Sequence, residues 1–159
     1  MMITWSEEIT IDANIETVWE LFKDKNITRI MPQVEEHALI EKEENEVGAR
    51  HRQTYREGKR TETYIVTTTA CEDREEHKLK EVTFTVGRAF DIKTSYTFQK
   101  LTENRTRLIY EGTNEGASVL GKIMLKIVRD KSNRKVVHDF LERVREEAEQ
   151  EEENVRSES

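Results

Sequence analysis

Alternation between apolar and polar residues over the middle of the chain restricts its fold more than any other feature. Six segments show it, and they are rich in Thr, Val, Ile, Tyr and Phe; they lie near residues 34–43, 47–57, 60–72, 77–86, 88–101 and 105–115. A period of two is typical of strands with one buried face. The segments are separated by only a few polar residues, and links this short join antiparallel neighbours. The sequence therefore predicts an antiparallel meander.

The residues before the meander predict one further strand and two short helices. Residues 3–11 alternate like the later segments. Asn14 is a good helix N-cap, and the apolar residues after it recur at helical spacing over about 15–23. A second short helix is expected near residues 26–31, and Pro32 should stop it.

The residues after Gly116 return to helical spacing and form two apolar stripes. The first stripe is Leu120, Ile123, Met124, Ile127 and Val128, and the second is Val136, Val137, Phe140, Leu141 and Val144. On a straight helix the stripes differ in direction by about 140°, so a bend is expected near residues 130–134. Such a bend would let the first half move as a lid. No stripe continues past Gln150, which divides the chain into a domain over 1–149 and an acidic, disordered tail over 150–159.

Length, charge and cysteine content exclude several classes of protein. The 159 residues suit a single domain, and the net charge is −7. Cys71 is the only cysteine, which excludes a disulfide scaffold. Glu7 and Glu8 interrupt the N-terminus where a secretory signal would be apolar, and no apolar run is long enough to span a bilayer. A cytoplasmic location is the resulting expectation.

The order of these elements resembles the START-like superfamily, also called SRPBCC. The residues that carry the resemblance are Ile9 to Phe22, a strand, a turn and a helix with the core Val-Trp-Glu-Leu-Phe, together with a helix that closes on Phe140 to Val144. The superfamily includes polyketide cyclase/dehydrase-like, birch-pollen-allergen-like and lipid-transfer proteins. The resemblance implies a helix-grip fold of the α+β class. In that fold a seven-stranded curved antiparallel sheet wraps around a long C-terminal helix, with two short helices after strand one.

The resemblance also implies a cavity between sheet and helix that binds something apolar. Alternation places several polar side chains on the faces that would line it, and the first helical stripe would close it. The candidate ligand-binding residues are His51, Gln53, Tyr55, Thr94, Tyr96, Tyr110, Asn114, Leu120, Met124 and Ile127. A mostly apolar wall with a few fixed hydrogen-bonding groups is typical of a small-molecule pocket.

No pattern in the sequence identifies catalytic or metal-binding residues. Phosphate-loop, dinucleotide and zinc-protease motifs are absent from the sequence. His37 and His77 each follow a glutamate, but adjacent strand residues point to opposite faces, so both histidines are interpreted as exposed. His51 and Tyr55 lie about 13 Å apart along a strand and cannot reach one atom together. We therefore expect no catalytic residue, no metal and no cofactor, although relatives in the superfamily include enzymes.

Three functions remain open, and we rank a non-enzymatic carrier or binding protein for an apolar small molecule first. A cyclase, dehydrase or hydratase using the same cavity is the alternative. The third is a protein or ribosome interaction module that uses the basic segment 122–135, whose cations are Lys122, Lys126, Arg129, Lys131, Arg134 and Lys135. Exposed aromatics do not interleave with these cations, which disfavours RNA or the ribosome. We expect no DNA binding, no stable membrane insertion, and a monomer or dimer.

Overall fold

The computed structural model describes residues 2–41, 46–86, 90–116 and 130–158. The seven strands are β1 Met2–Ile11, β2 Val34–Glu41, β3 Arg50–Glu57, β4 Arg60–Asp73, β5 His77–Val86, β6 Phe90–Thr102 and β7 Arg105–Gly116. The helical elements are α1 Ile15–Glu20, a 3-10 turn Asp24–Asn26, α2 Ile27–Ile30 and α3 Asp130–Glu158. The element order predicted from the sequence is confirmed.

All seven strands form one curved antiparallel sheet in the order β1-β7-β6-β5-β4-β3-β2. Consecutive strands from β2 to β7 are neighbours, as the short turns predicted. The N-terminal strand pairs with the last one, with Met2 opposite Glu115 and Ile11 opposite Thr106. The fold class is therefore the predicted helix-grip arrangement.

The N-terminal helix begins where the sequence indicated. Asn14 has an extended backbone, and its side-chain oxygen accepts a hydrogen bond from the Glu16 N–H, which satisfies one of the free donors at the start of α1. The helix buries Ile15, Val18 and Trp19 at helical spacing. Trp19 packs edge-on against Phe98 of β6, with 5.1 Å between ring centroids. These contacts seal one end of the sheet's concave face.

The C-terminal helix α3 packs against β1, α1 and α2. Its buried apolar residues are Val137, Leu141, Val144 and Ala148. They recur at positions i, i+4, i+7 and i+11, as on one face of a helix. Val136, which the sequence placed in the same stripe, is 65% exposed, so that assignment is wrong. It lies one residue, and hence about 100° of helix, away from Val137.

The prediction of a disordered tail from residue 150 is also wrong for the residues that the structure describes, because α3 continues to Glu158. Polar contacts hold the last turns in place of an apolar stripe. The Thr17 hydroxyl donates to Glu152, which is only 8% exposed. The Arg29 guanidinium contacts both Glu147 and Glu151 at 3.1 Å.

A β-bulge between Thr68 and Ala70 changes which residues of β4 face the concave side. Before the bulge, Val66 and Thr68 face that side, opposite His51 and Val82. After it, Cys71 faces the same side, opposite Lys80. The extra residue moves the pattern by one position, as a bulge must.

Two predictions fall on residues outside the described ranges. Leu120, Met124 and Ile127 of the proposed pocket lie there, and so do Lys122, Lys126 and Arg129 of the basic segment. The expected bend and lid depend on the same part of the chain. Arg134 and Lys135 are described and exposed, and Lys135 pairs with Asp139 at 2.8 Å.

Within the described ranges, no helix combines the length and the apolar character needed to cross a bilayer.

Candidate binding face on the concave side of the sheet

Two tyrosines stack at the centre of the concave face. The register sets Tyr96 of β6 opposite Tyr110 of β7, and their rings lie 5.0 Å apart and 14° from parallel. Phe140 of α3 packs on both rings, at 5.9 and 5.0 Å, and Phe22 lies 4.9 Å from Tyr96. These four rings form the aromatic floor of the face.

The two tyrosine hydroxyls form a small polar spot within the aromatic floor. Tyr96 is hydrogen-bonded to Tyr110, and the Thr94 hydroxyl donates to the Tyr96 oxygen at 3.5 Å. Burial raises the pKa of Tyr96 and raises the pKa of Tyr110 well above its ordinary value. Both phenols are therefore neutral hydrogen-bonding groups at physiological pH.

Two polar atoms on β1 and β7, on the same face as the aromatic floor, are buried without a hydrogen-bond partner among the described residues. They are the Asn114 Oδ1 atom and the Trp5 Nε1 atom. Asn114 lies between Ile3 and Ile92 in the sheet register. Buried polar atoms are nearly always paired, so one unpaired acceptor and one unpaired donor near the same floor indicate a binding position.

Trp5 occupies its position because Gly112 lies opposite it on β7. A Cβ atom at Gly112 would stand only 2.2 Å from the Trp5 ring. The glycine therefore leaves the space in which the indole lies over the neighbouring strand. From there the indole packs edge-on against Tyr110 at 5.7 Å.

A second polar group lies on β3 and its neighbours. Gln53 is buried, and its Nε2 donates to the Tyr64 hydroxyl at 2.8 Å. Tyr64 in turn stacks on Phe84 at 5.0 Å. His51 is 4% exposed, and its Nε2 lies 2.8 Å from the Asp24 Oδ2 atom.

The interpretation of His37 as an exposed strand residue is wrong, since its side chain is only 7% exposed. Its Nδ1 lies 2.7 Å from the Gln53 Oε1 atom, and its ring stacks on His51 at 4.5 Å. The sequence argument compared His37 only with its chain neighbour Glu36. A hairpin centred on Asn45 would have set residue 37 opposite 53 and 39 opposite 51, which is the observed register. No sequence signal would have added Asp24.

Lys80 of β5 carries a titratable ammonium group. It lies between the tyrosine hydroxyls on β6 and β7 and the polar side chains on β3. Its Nζ donates to the Phe22 carbonyl oxygen at 3.0 Å, and burial lowers the pKa of its ammonium. Cys71 lies opposite it on β4, and burial raises the pKa of that thiol. A lysine with a lowered pKa is a candidate acid or base, and no sequence pattern indicated this one.

The predicted pocket residues therefore form two groups rather than one. Thr94, Tyr96, Tyr110 and Asn114 lie together on β6 and β7, whereas His51 and Gln53 lie on β3, with β4 and β5 between. Buried valines, Val66 and Val82, join the groups along the face. Tyr55 is on the same face as Gln53 by alternation but is partly exposed.

Two open depressions in the described part of the chain lie elsewhere. One of about 610 Å³ is on the convex face and is lined mainly by outward-facing residues such as Ile65, Thr83, Asp91 and Lys93. Another of about 320 Å³ lies between β1 and α3, beside His138. Neither coincides with the predicted pocket.

A sequence family described as polyketide cyclase / dehydrase and lipid transport matches residues 2–149. No curated protein matches the chain. Among solved structures, the ZhuI aromatase/cyclase from Streptomyces sp. R1128 is similar, with 18% identity over 94% of each chain and a TM-score of 0.72. A START superfamily protein from Mycobacterium smegmatis covers 96% of this chain and 98% of its own, with 13% identity and a TM-score of 0.69. The match to the protein Ara h 8.0201 covers 93% of this chain and 98% of that protein, with 11% identity and a TM-score of 0.69.

Proposed function

Because the chain belongs to the polyketide cyclase/dehydrase and lipid-transport family, we propose that it binds or carries an apolar small molecule on the concave face of its sheet. The ligand class is a lipid, a polyketide or an aromatic compound. The resemblance to the START-like superfamily is confirmed by the family match and by the similar solved structures. The observation that carries the proposal is the pair of unpaired buried atoms, Asn114 Oδ1 and Trp5 Nε1, beside the stacked tyrosines.

The chemistry of the face defines the kind of ligand that fits. Tyr110 and Phe140 are the partly buried members of the aromatic floor and offer apolar surface to a ligand. Stacked or edge-on aromatic contacts each contribute about 0.5–1.5 kcal/mol beyond burial. Asn114 Oδ1 accepts a hydrogen bond and Trp5 Nε1 donates one. A ligand with an apolar or aromatic body and a hydroxyl group would satisfy both, because a hydroxyl donates to Asn114 Oδ1 and accepts from Trp5 Nε1. A carbonyl group would pair with Trp5 Nε1 alone. Since an unpaired buried group costs about 1–3 kcal/mol, that pairing favours the bound state.

Substitution of Asn114 tests this proposal against a neighbour on the opposite face. Asn114→Ala removes the buried acceptor, whereas Thr113→Ala changes the adjacent outward-facing residue. Titration with apolar fluorophores that carry a hydroxyl group should show binding by the wild type and by Thr113→Ala. Asn114→Ala should bind about tenfold more weakly, the loss of one net hydrogen bond. Equal loss in both variants, or no binding to the wild type, would contradict the proposal.

The natural ligand can be sought directly. Native mass spectrometry of the protein purified from its own host should show a co-purifying mass that is released on denaturation. The same experiment on Asn114→Ala should show a reduced bound fraction.

Lys80 supports an enzyme of the cyclase, dehydrase or hydratase kind as the second candidate. Its lowered pKa increases the neutral amine fraction near physiological pH, which is what a general base requires. Lys80→Met should then leave ligand binding within a few fold of the wild type and abolish conversion of the co-purified compound. Lys93→Met is the matched control, because Lys93 lies on the convex face. A binding protein without activity would show no conversion in the wild type either.

A further inference from the structure

Three potential metal ligands converge at the β2–β3 edge of the concave face. Asp24 comes from the 3-10 turn, His37 from β2 and His51 from β3, and their ligating atoms all lie within 4.8 Å of one another. The Asp24 carboxylate reaches both rings, with Oδ2 2.8 Å from His51 Nε2 and Oδ1 3.3 Å from His37 Nε2. The elements are distant in sequence, so the convergence is a product of the fold.

The hydrogen bonds of Gln53 determine which nitrogen of His37 carries the proton. Because Gln53 Nε2 donates to Tyr64, Gln53 Oε1 is the acceptor that faces His37 Nδ1 at 2.7 Å. The neutral His37 ring therefore has its hydrogen on Nδ1 and its lone pair on Nε2.

The lone pair of His37 Nε2 has no hydrogen-bond partner in the part of the chain that the structure describes, although the atom is buried. It faces the Asp24 Oδ1 atom, which is another lone-pair donor, at 3.3 Å. Two lone pairs held face to face repel unless a proton or a metal ion lies between them. A carboxyl group is ionised at neutral pH, so this oxygen is negatively charged.

The donor set and its spacing fit a transition metal. Two imidazoles and one carboxylate suit zinc and the neighbouring divalent ions of the first row. With metal–ligand bonds of about 2.0–2.1 Å in tetrahedral geometry, ligand atoms stand about 3.3 Å apart. The Asp24 oxygens lie 2.8 and 3.3 Å from the nitrogens of His51 and His37. Gln53 meets the usual second requirement, a carbonyl oxygen that accepts the other N–H of a ligating histidine.

We propose that Asp24, His37 and His51 bind one divalent transition-metal ion, with Gln53 as a positioning residue and one coordination position left open. This site does not depend on the apolar-ligand function proposed above. The two rings are 14° from parallel, so one ring must tilt before both lone pairs reach the same ion. Asp24 can follow that movement because its side chain is 47% exposed and stands on a short turn.

The test uses the full chain without an affinity tag, stripped of metal with a chelator. Zn²⁺ is titrated calorimetrically, and Co²⁺ by its visible absorption, with no organic ligand present. We expect one equivalent per chain. His37→Gln, His51→Gln and Asp24→Asn should each lose at least tenfold in affinity, and Gln53→Leu should lose about 10–100-fold. His77→Gln and His138→Gln are the matched controls and should bind like the wild type.

A second measurement on the wild type keeps the test valid if a variant misfolds. Co²⁺ should shift the imidazole NMR signals of His37 and His51 and leave those of His77 and His138 in place. Several weak equivalents that persist in His37→Gln would instead show ion binding by the acidic surface of α3. That result, a shift confined to His77 or His138, or no binding by the wild type, would overturn the proposal.

Discussion

The two ends of the concave face are built from the same strands but differ in how completely their buried polar groups are hydrogen-bonded. At the end covered by α1 and α3, Ile11, Phe98, Leu108 and Val144 are fully buried. Buried polar groups there are paired: the Thr106 hydroxyl donates to the Ala13 carbonyl oxygen at 2.8 Å, and Lys78 contacts Glu16 at 2.8 Å. We call this the closed end. At the opposite end, the open end, Asn114, Trp5 and His37 each have a buried side-chain atom without a hydrogen-bond partner among the described residues. The fourth such atom, Arg145 Nε, lies on α3.

Because of this difference, residues at one end of a strand contribute mainly to stability, and residues at its other end are available for binding. Phe98 of β6 is at the closed end and contributes its whole side chain to the core, whereas Ile92, six residues earlier on the same face, is only partly buried. A fold in which every buried polar group is paired gains stability but leaves no buried hydrogen-bonding group for a ligand. We therefore expect substitutions at the closed end to affect folding most, and those at the open end to affect binding most.

The largest expected effect is the loss of a closed-end aromatic. Phe98→Ala should destabilise the protein by about 3–5 kcal/mol, because the cavity left between Trp19 and Phe22 cannot collapse. Phe84→Ala at the open end is the matched change and should cost less than half as much, since Phe84 is partly exposed. Urea unfolding of both variants measures the difference. Equal losses would remove the distinction between the two ends.

Gly112→Ala tests the place where the two ends meet. The new Cβ would stand 2.2 Å from the Trp5 ring, so the indole must move, at a cost of about 1–3 kcal/mol. Trp5→Phe in the Gly112→Ala background should recover part of that loss, because the smaller ring leaves room. Denaturant unfolding of the two single variants and the double variant gives the coupling energy. Additive effects would show that Trp5 does not lie over Gly112.

Gln53→Leu tests the polar group of the open end. It leaves His37 Nδ1 and the Tyr64 hydroxyl without their partner, which should cost about 1–3 kcal/mol. Thr54→Val changes the next residue, which faces the other side and is paired with Thr63. That control should stay within about 0.5 kcal/mol of the wild type. A thermal unfolding series decides, and a control as damaging as Gln53→Leu would contradict the network.

The smallest expected effect is a change in alkaline stability. Folding raises the pKa of Tyr110, so the neutral phenol stabilises the folded state fully below the unfolded pKa of about 10. That stability is lost as pH rises above 10 toward the folded pKa. Tyr110→Phe has no proton to lose, so its stability relative to the wild type should be constant below pH 10 and improve above it. A difference that does not vary with pH would show that Tyr110 is not buried.

The sequence predicted the fold well because period-two alternation and short turns determine both the strands and their neighbours. Alternation also placed Tyr96 and Tyr110 on one face, since each strand was read separately and correctly. It failed for His37, whose environment comes from a partner strand, and for Asp24, which reaches the strands from a turn. The extension of α3 past Gln150 was missed because Thr17 and Arg29 hold it through polar contacts. Such contacts between distant segments leave no periodic trace in a sequence.

We propose that the open end of the concave face binds an apolar ligand. The most direct measurement is methyl NMR during titration with an apolar hydroxyl-bearing or carbonyl-bearing probe. Val66 and Val82 report the open end, Leu108 and Val144 report the closed end, and Ile65 reports the convex groove. We expect saturable shifts of the Val66 and Val82 methyl signals, whereas the methyl signals of Leu108, Val144 and Ile65 should not move. Shifts of Ile65 without Val66, its neighbour on the opposite face, would place the ligand on the convex side and contradict the claim.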